Sequence, residues 1–474
     1  MQRRQFLKNR KVGRDIIGNK IYYITSDDNL IEINDGCVNS DANITLKTRD
    51  GDKKVTVFDK PITELNDTFT DLANVTAVSI PESVKYIGGK AFIGAKLECV
   101  NIDNIGNWCN VSFGSYSHPT YNDEYRFILY SNWEPVTDLI IPAGVTSINI
   151  DTFLNCNNLT SVTIPDSVTS IGSRAFQDCK NLANIIISED SQLKSTGHDS
   201  FFNTQWYNNL TDGVVYIGKV LYKYKGSMSS NTIIEVKKNT ISIGNGAFQD
   251  CTGLTSITIP DSVVSIGAYA FGGCTGLTSI TIPDSVVSIG VHTFEDCAGL
   301  TSINIPDGVT SIGSSAFRNC DNLTSITIPN SVTNIDNWTF YGCNRLTSIT
   351  IPNSVVSIGT EAFRNCDKLT SVTIPASVTN IGDWAFYGCT GLTSITCNAL
   401  IPPSIKTYTF HSGMSRPVYV PDESVEYYKQ DSYWGLMQIL PIQNTSTPDP
   451  STPDPSTPDP STPDPSTETT TPAP

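Results

Sequence analysis

A 23-residue phrase that keeps returning limits what this chain can fold into. "LTSITIPDSVVSIGAYAFGGCTG" covers residues 254–276, and "LTSITIPDSVVSIGVHTFEDCAG" follows at once over 277–299. A text of this kind grows by stacking like units along an axis, so its 474 residues need not divide into several compact domains. Within 254–276 the large apolar residues are Leu254, Ile257, Ile259, Val263, Ile266 and Phe271, with Ala270 and Cys274 as small partners. Ile257 and Ile259 flank Thr258 at strand spacing, and Pro260 and Asp261 end that strand in a turn. Residues 263–266 give a second short extended piece, Gly267 permits a reversal, and "AYAFGGC" has room for one helical turn or a loop. Each unit reads as one coil. Six buried side chains cannot offset the entropy of ordering a whole coil, so a coil holds its shape only between neighbours that cover its apolar faces.

The phrase starts a strand at Val75, Leu97, Val136, Leu159, Leu182, Asn231, Leu254, Leu277, Leu300, Leu323, Leu346, Leu369 and Leu392. The expected fold is a β-rich solenoid whose curved parallel sheet has about thirteen coils over 75–396. Longer steps leave insertions near 103–135 and 203–230; in the second, "DGVVYIGKVLYKYKG" reads as a hairpin, and both are expected to protrude. Residues 1–19 form a basic segment, and 20–74 a small β module or amino-terminal cap with Asp50-Gly51 as a hairpin turn. Residues 397–442 form a C-terminal cap, in which "DESVEYYKQDSYW" gives a short helix capped by Asp422 or Ser424. Residues 443–474 carry four copies of "STPDP" and are expected to be a disordered spacer of roughly 90 Å reach.

Net charge is −16, which disfavours duplex DNA and anionic lipid as partners, and no apolar stretch is long enough for a membrane-spanning helix. "RRQFLK" at 3–8 continues into a basic, polar segment, so no export signal is recognised. Of 13 cysteines, Cys251, Cys274, Cys297, Cys320, Cys343, Cys366 and Cys389 recur every 23 residues, as Cys156 and Cys179 do. Equal register puts them in one column of small buried thiols; the odd total and the lack of C-x-x-C spacing argue against a full set of bridges and against zinc. No cofactor or metal is expected.

The pattern leucine, two variable, isoleucine, one variable, isoleucine-proline, then "SVTSIG..AF..C", resembles the BspA-like leucine-rich repeat family, also seen in treponemal surface repeats, over roughly residues 75–442. "GVVYIGKVLYKYKG" and the ending "IPPSIKTYTF...PVYVPDESVEYYKQDSYWGLMQILPI" are similar to segments of gut-bacterial members. The resemblance implies a parallel-sheet solenoid at a cell surface or outside the cell, adhering to host proteins or other microbes.

Chemistry is sparse. The outward strand positions, such as Ser279, Thr281, Ser325 and Thr327, make a hydroxyl surface without a base beside it, so no enzyme is expected. Variation gathers around the Ala-Phe step, at Tyr269, His292, Trp338, Glu361 and Trp384, then at Glu295, Arg318, Tyr341, Arg364 and Tyr387. Two readings apply. These side chains cover the turns and pair as cation–π contacts between coils, or Arg318, Trp338, Tyr341, Arg364, Trp384 and Tyr387 form a ligand-binding ridge. The functional expectation is a non-enzymatic, monomeric adhesion protein that takes a protein or glycan ligand, with no nucleic acid partner. The alternative is a structural or receptor-binding component of a phage virion or another assembly.

Overall fold

The computed structural model describes residues 20–25, 44–50, 53–58, 61–66, 68, 75–92, 94–95, 97–114, 119, 128–406, 408–410 and 416–442. The segments expected at 1–19 and 443–474, residue 51 of the expected turn, and much of the insertion near 103–135 lie outside the described residues.

Each coil carries a long strand, a short strand and a run of tight turns. In 277–299 the long strand is Ser279–Thr281, a turn closes through the Val286 N–H to the Pro283 carbonyl, and the short strand is Ser288–Ile289. Ile280 and Ile282 point inward and are buried, while Ser279 and Thr281 face out, the alternation that strand geometry imposes. Neighbouring coils pair in parallel and in register, Ser279 with Ser302 in the long-strand ladder and Ser288 with Ser311 in the short-strand ladder. A third ladder joins the turns: the Phe271 N–H donates to the Thr293 carbonyl at 2.9 Å, and the Phe294 N–H to the Ala316 carbonyl at 2.8 Å.

Two columns fill the interior. Phe248, Phe271, Phe294, Phe317, Phe340, Phe363, Phe386 and Phe410 stack one over the next, with Phe294 and Phe317 5.4 Å apart between centroids and tilted by 10°. Beside them runs the expected thiol column, and every described cysteine is free. From Cys274 to Cys389 each sulfur also donates to a Phe carbonyl of the preceding coil, Cys297 Sγ to Phe271 at 3.1 Å and Cys320 Sγ to Phe294 at 3.2 Å. Burial pushes the Cys297 and Cys343 thiols up to about 12, so they stay protonated and unreactive near neutral pH. A maleimide reagent on the native protein is expected to leave Cys274, Cys297, Cys320, Cys343 and Cys366 unmodified until denaturant is added; rapid labelling of any of these in native buffer contradicts a closed column.

The ladder exceeds the thirteen expected coils. Pro417–Val420 pairs in parallel with Ser394–Cys397, and Gln438–Pro441 pairs with Pro417–Val420, for about 15 turns in all. Between these last strands lie a 3-10 turn at Asp422–Ser424, a helix at Val425–Gln430 and a second 3-10 turn at Trp434–Leu436. Ser424 is the helix N-cap residue, yet its side chain makes no capping bond. The helix is held instead by burial of Tyr428 and Trp434, whose polar tips reach the carbonyls of Ala399 and Pro403 at 2.9 and 2.8 Å. At the other end, Lys20–Thr25 pairs antiparallel with Val75–Ile80, and Ile44–Asp50 and Lys53–Phe58 extend the same sheet.

The hairpin in the second insertion is not a protrusion. Gly213–Ile217 and Val220–Lys225 pair antiparallel, and Val220–Lys225 then pairs in parallel with the short strand Ser242–Ile243. Val220, Leu221 and Tyr222 are fully buried at the seam between two core clusters, Leu221 in the second and Tyr222 in the first. The alternation in "VVYIGKVLYKYK" already carried enough apolar residues on both faces to go inside.

Across this seam His198 Nδ1 lies 3.0 Å from Asp199 Oδ2, His198 Nε2 lies 2.7 Å from Gln249 Oε1, and Lys223 pairs with Asp199. The hydrogen bond to Asp199 raises the His198 pKa despite partial burial. Burial works to raise Asp199 as well, but His198 and Lys223 outweigh it and hold the carboxyl at about 2. A raised histidine stabilises fully below its ordinary value of 6.5 and loses that contribution as pH climbs through its folded value. The melting temperature at pH 5.5 relative to pH 8.5 is therefore expected to be higher in the wild type than in His198→Gln; equal differences in the two proteins refute the coupling.

Candidate functional site

Of the six expected ridge residues, Arg318, Tyr341, Arg364 and Tyr387 are brought into contact with one another, and Trp338 and Trp384 are not. Tyr269 stacks on His292 with centroids 4.4 Å apart, and His292 Nδ1 lies 2.9 Å from Glu295 Oε2. Glu295 Oε1 accepts from Arg318 at 2.6 Å. The Arg318 guanidinium lies 5.4 Å from the Tyr341 ring centroid, and Arg364 lies 5.9 Å from Tyr341 and 5.4 Å from Tyr387. Glu361 holds Arg364 at 2.9 Å, and Trp384 stacks on Tyr408 at 6.0 Å. Contacts thus run unbroken from Tyr269 to Tyr387 across coil after coil, with the cation–π pairing that the alternation of arginine and tyrosine implied. Trp338 has no ring partner among the described residues and is 39% exposed.

The backbone beneath the ridge departs from what its residues prefer. Tyr269, His292, Ser315, Trp338, Glu361 and Trp384 all have φ between 53° and 57°, where an earlier coil uses Gly246. A side chain in that left-handed region costs about 1–2 kcal/mol. Four residues later every coil needs the same conformation again, and there the chain uses Asp250, Gly273, Asp296, Asn319, Gly342, Asn365 and Gly388, types that tolerate it. At the first position side chains as different as Tyr269, Ser315, Glu361 and Trp384 take up the conformation, which lets the N–H join the turn ladder, as from Trp338 to the Thr360 carbonyl at 3.0 Å.

The outward strand hydroxyls form an exposed row. Beside it, one residue before each strand, Thr301 Oγ1 donates to the Thr278 carbonyl at 3.1 Å and Thr324 Oγ1 to the Thr301 carbonyl at 3.3 Å. Among the described residues no group of three or more His, Cys, Asp or Glu side chains is placed to hold a metal ion.

One feature escaped the sequence reading. A shallow polar groove of about 340 Å³ opens beside the ridge, lined by Ser314, Asn334, Asp336, Asn337, Ser357 and Asn380 among others. It has a local cause. After each short strand the coils touch backbone to backbone, so a Cβ added at Gly313 would lie 2.6 Å from Val291 N, and one at Gly359 2.6 Å from Asn337 N. Asp336 occupies that register between them. The short-strand ladder that runs as far as Ser311–Ile312 stops there and resumes at Asn334–Ile335. The Gly313 N–H donates to Ile289 at 3.0 Å and the Gly359 N–H to Ile335 at 2.7 Å, while the Asp336 N–H has no such partner among the described residues. Within the groove, Ser357 Oγ donates to Asn334 Oδ1 at 2.7 Å and Asn337 Oδ1 accepts from the Thr360 N–H at 2.7 Å, but the Asp336 carboxylate makes no hydrogen bond. Desolvation raises its pKa. The signal was present in "SVTNIDNW", where neighbouring copies read "SIG".

A family model described as a BspA type leucine-rich repeat region of 6 copies matches residues 18–118, 127–224, 215–347 and 339–446. Among solved structures, a leucine-rich repeat protein from Bacteroides ovatus is similar at 22% identity, covering 85% of this chain and 91% of its own, with a TM-score of 0.39. A leucine rich cell surface protein from Faecalibacterium prausnitzii is similar at 29% identity over 55% of this chain and 88% of its own, with a TM-score of 0.27. The leucine-rich repeat protein of T. pallidum is similar at 25% identity over 44% of this chain and 78% of its own, with a TM-score of 0.28. No curated protein matches. No described helix is long and apolar enough to cross a membrane.

Proposed function

The chain belongs to the BspA-type leucine-rich repeat family, and on that premise we propose that it is a non-catalytic adhesion protein that presents the ridge from Tyr269 to Tyr387 to a ligand at a microbial surface. The observation that supports this reading is the preorganised state of the ridge. Arg318 and Arg364 are each held by a carboxylate and a ring, at 2.6 and 2.9 Å from Glu295 and Glu361. Side chains already fixed lose little rotamer freedom on binding, and tryptophan, tyrosine and arginine are the types that dominate recognition surfaces.

The test replaces Trp338, Tyr341, Trp384 and Tyr387 together with alanine in the full chain and measures capture on a panel of host extracellular proteins. More than ~100-fold weaker capture is expected, with the circular dichroism spectrum unchanged. Undiminished capture by the folded variant returns the four side chains to a packing role.

A further inference from the structure

We propose that the groove at Asp336, with Trp338 and Trp384 at its margin, is a subsite for a neutral oligosaccharide. The inference deepens the adhesion reading above and rests on it. The lining favours this class of ligand by its chemistry. Asn334, Asn337 and Asn380 supply carboxamides that donate and accept, Ser314 and Ser357 supply hydroxyls, and Asp336 supplies carboxylate acceptors with no partner among the described residues. Sugar hydroxyls, which donate and accept in turn, complete such a set. An apolar peptide face would leave it unsatisfied. No lysine, arginine or histidine is among the lining residues, so a phosphate, sulfate or sialic acid carboxylate would meet the Asp336 charge uncompensated.

The margin adds aromatic faces. Trp338 follows the lining residue Asn337 directly, and Trp384 stands two residues beyond the lining residue Gly382. They occupy the same register two coils apart, a separation of about 10 Å at the spacing of adjacent strands. Trp338 is 39% exposed, and Trp384 keeps one face beyond its stack on Tyr408; aromatic rings pack on the C–H faces of sugars while the polar lining reads the hydroxyls. Asp336 is what sets this coil apart: it interrupts a ladder that glycine keeps closed in the coils on either side.

The experiment uses the full chain on an array of neutral mammalian oligosaccharides, N-acetyllactosamine and oligomannose among them, printed beside their sialylated and sulfated counterparts. Neutral members are expected to be captured, with the charged counterparts at least tenfold weaker. Asp336→Gly restores the residue that neighbouring coils use, so it keeps the fold while closing the groove; it is expected to lose neutral glycan binding at least tenfold with no fall in melting temperature. Asn334→Ala combined with Asn380→Ala should lose it similarly, and Thr327→Ala on the outer face should not. A blank array, a preference for the sulfated members, or full binding by Asp336→Gly overturns the proposal. So does capture of a deglycosylated protein that Asp336→Gly abolishes, which would assign the groove to a peptide. If the array is blank while the ridge variant still loses its protein ligand, the groove proposal fails alone and the adhesion reading stands.

Discussion

Replacing Phe317 with alanine is expected to cost about 3–5 kcal/mol of stability, the range for emptying a well-packed aromatic site. The ring is fully buried and lies between Phe294 at 5.4 Å and Phe340 at 5.6 Å. Rings stacked on both sides cannot collapse into the space, because each is fixed by its own coil's turn ladder, so most of the cavity persists. In a solenoid the loss is also felt at two interfaces at once, since a coil is stable only through its neighbours. Urea unfolding followed by circular dichroism measures the effect, with Phe410→Ala, the last ring of the column and 5% exposed, as the comparison expected to lose less. A loss below about 1 kcal/mol at Phe317 would show that the column is not what holds the coils together.

Gly313→Asp is the second large effect, and it copies into one coil what the next coil already carries. The new Cβ would lie 2.6 Å from Val291 N and 2.8 Å from the Gly290 carbonyl carbon, both backbone atoms with little freedom to yield. The coils must part, and the hydrogen bond from the Gly313 N–H to Ile289 goes with them. Overpacking and one lost buried bond together give about 3 kcal/mol. The reverse change, Asp336→Gly, has no such penalty, so the two substitutions should move the unfolding midpoint by very different amounts. Equal small shifts would mean that glycine at this register does not set the approach of the coils.

The repeat made most of the fold readable, because the strand starts from Leu254 to Leu392 are announced by the same leucine at a period of 23 residues, and Val75, Val136 and Asn231 keep its apolar alternation without the leucine. The column of cysteines followed from register alone, although its hydrogen bonds to the Phe carbonyls did not: they depend on a turn geometry that no residue type declares. The last two turns were hidden since "PVYV" and "QILP" keep the inward alternation but drop the leucine and the Ser-Ile-Gly step. The hairpin at 213–225 was legible as a hairpin, yet its burial came from side-chain contacts made only once Tyr222 and Phe201 meet. At the ridge, the alternation of Arg318 and Arg364 with Tyr341 and Tyr387 indicated pairing between coils, and the structure places them in contact. The left-handed backbone at Trp338 could not be read, because tryptophan is among the residues least expected there.

The in-register pairing of near-identical coils reaches beyond the folded chain to the gene that encodes it. Tracts of DNA that spell almost the same coil can misalign and cross over unequally, and the product gains or loses whole multiples of 23 codons. Such a product meets the same surface above and below every junction, so neither end has to change and no new core has to be invented. Molecular length, and with it the number of aromatic rungs displayed, is then a trait that a lineage can vary quickly while its architecture stays fixed.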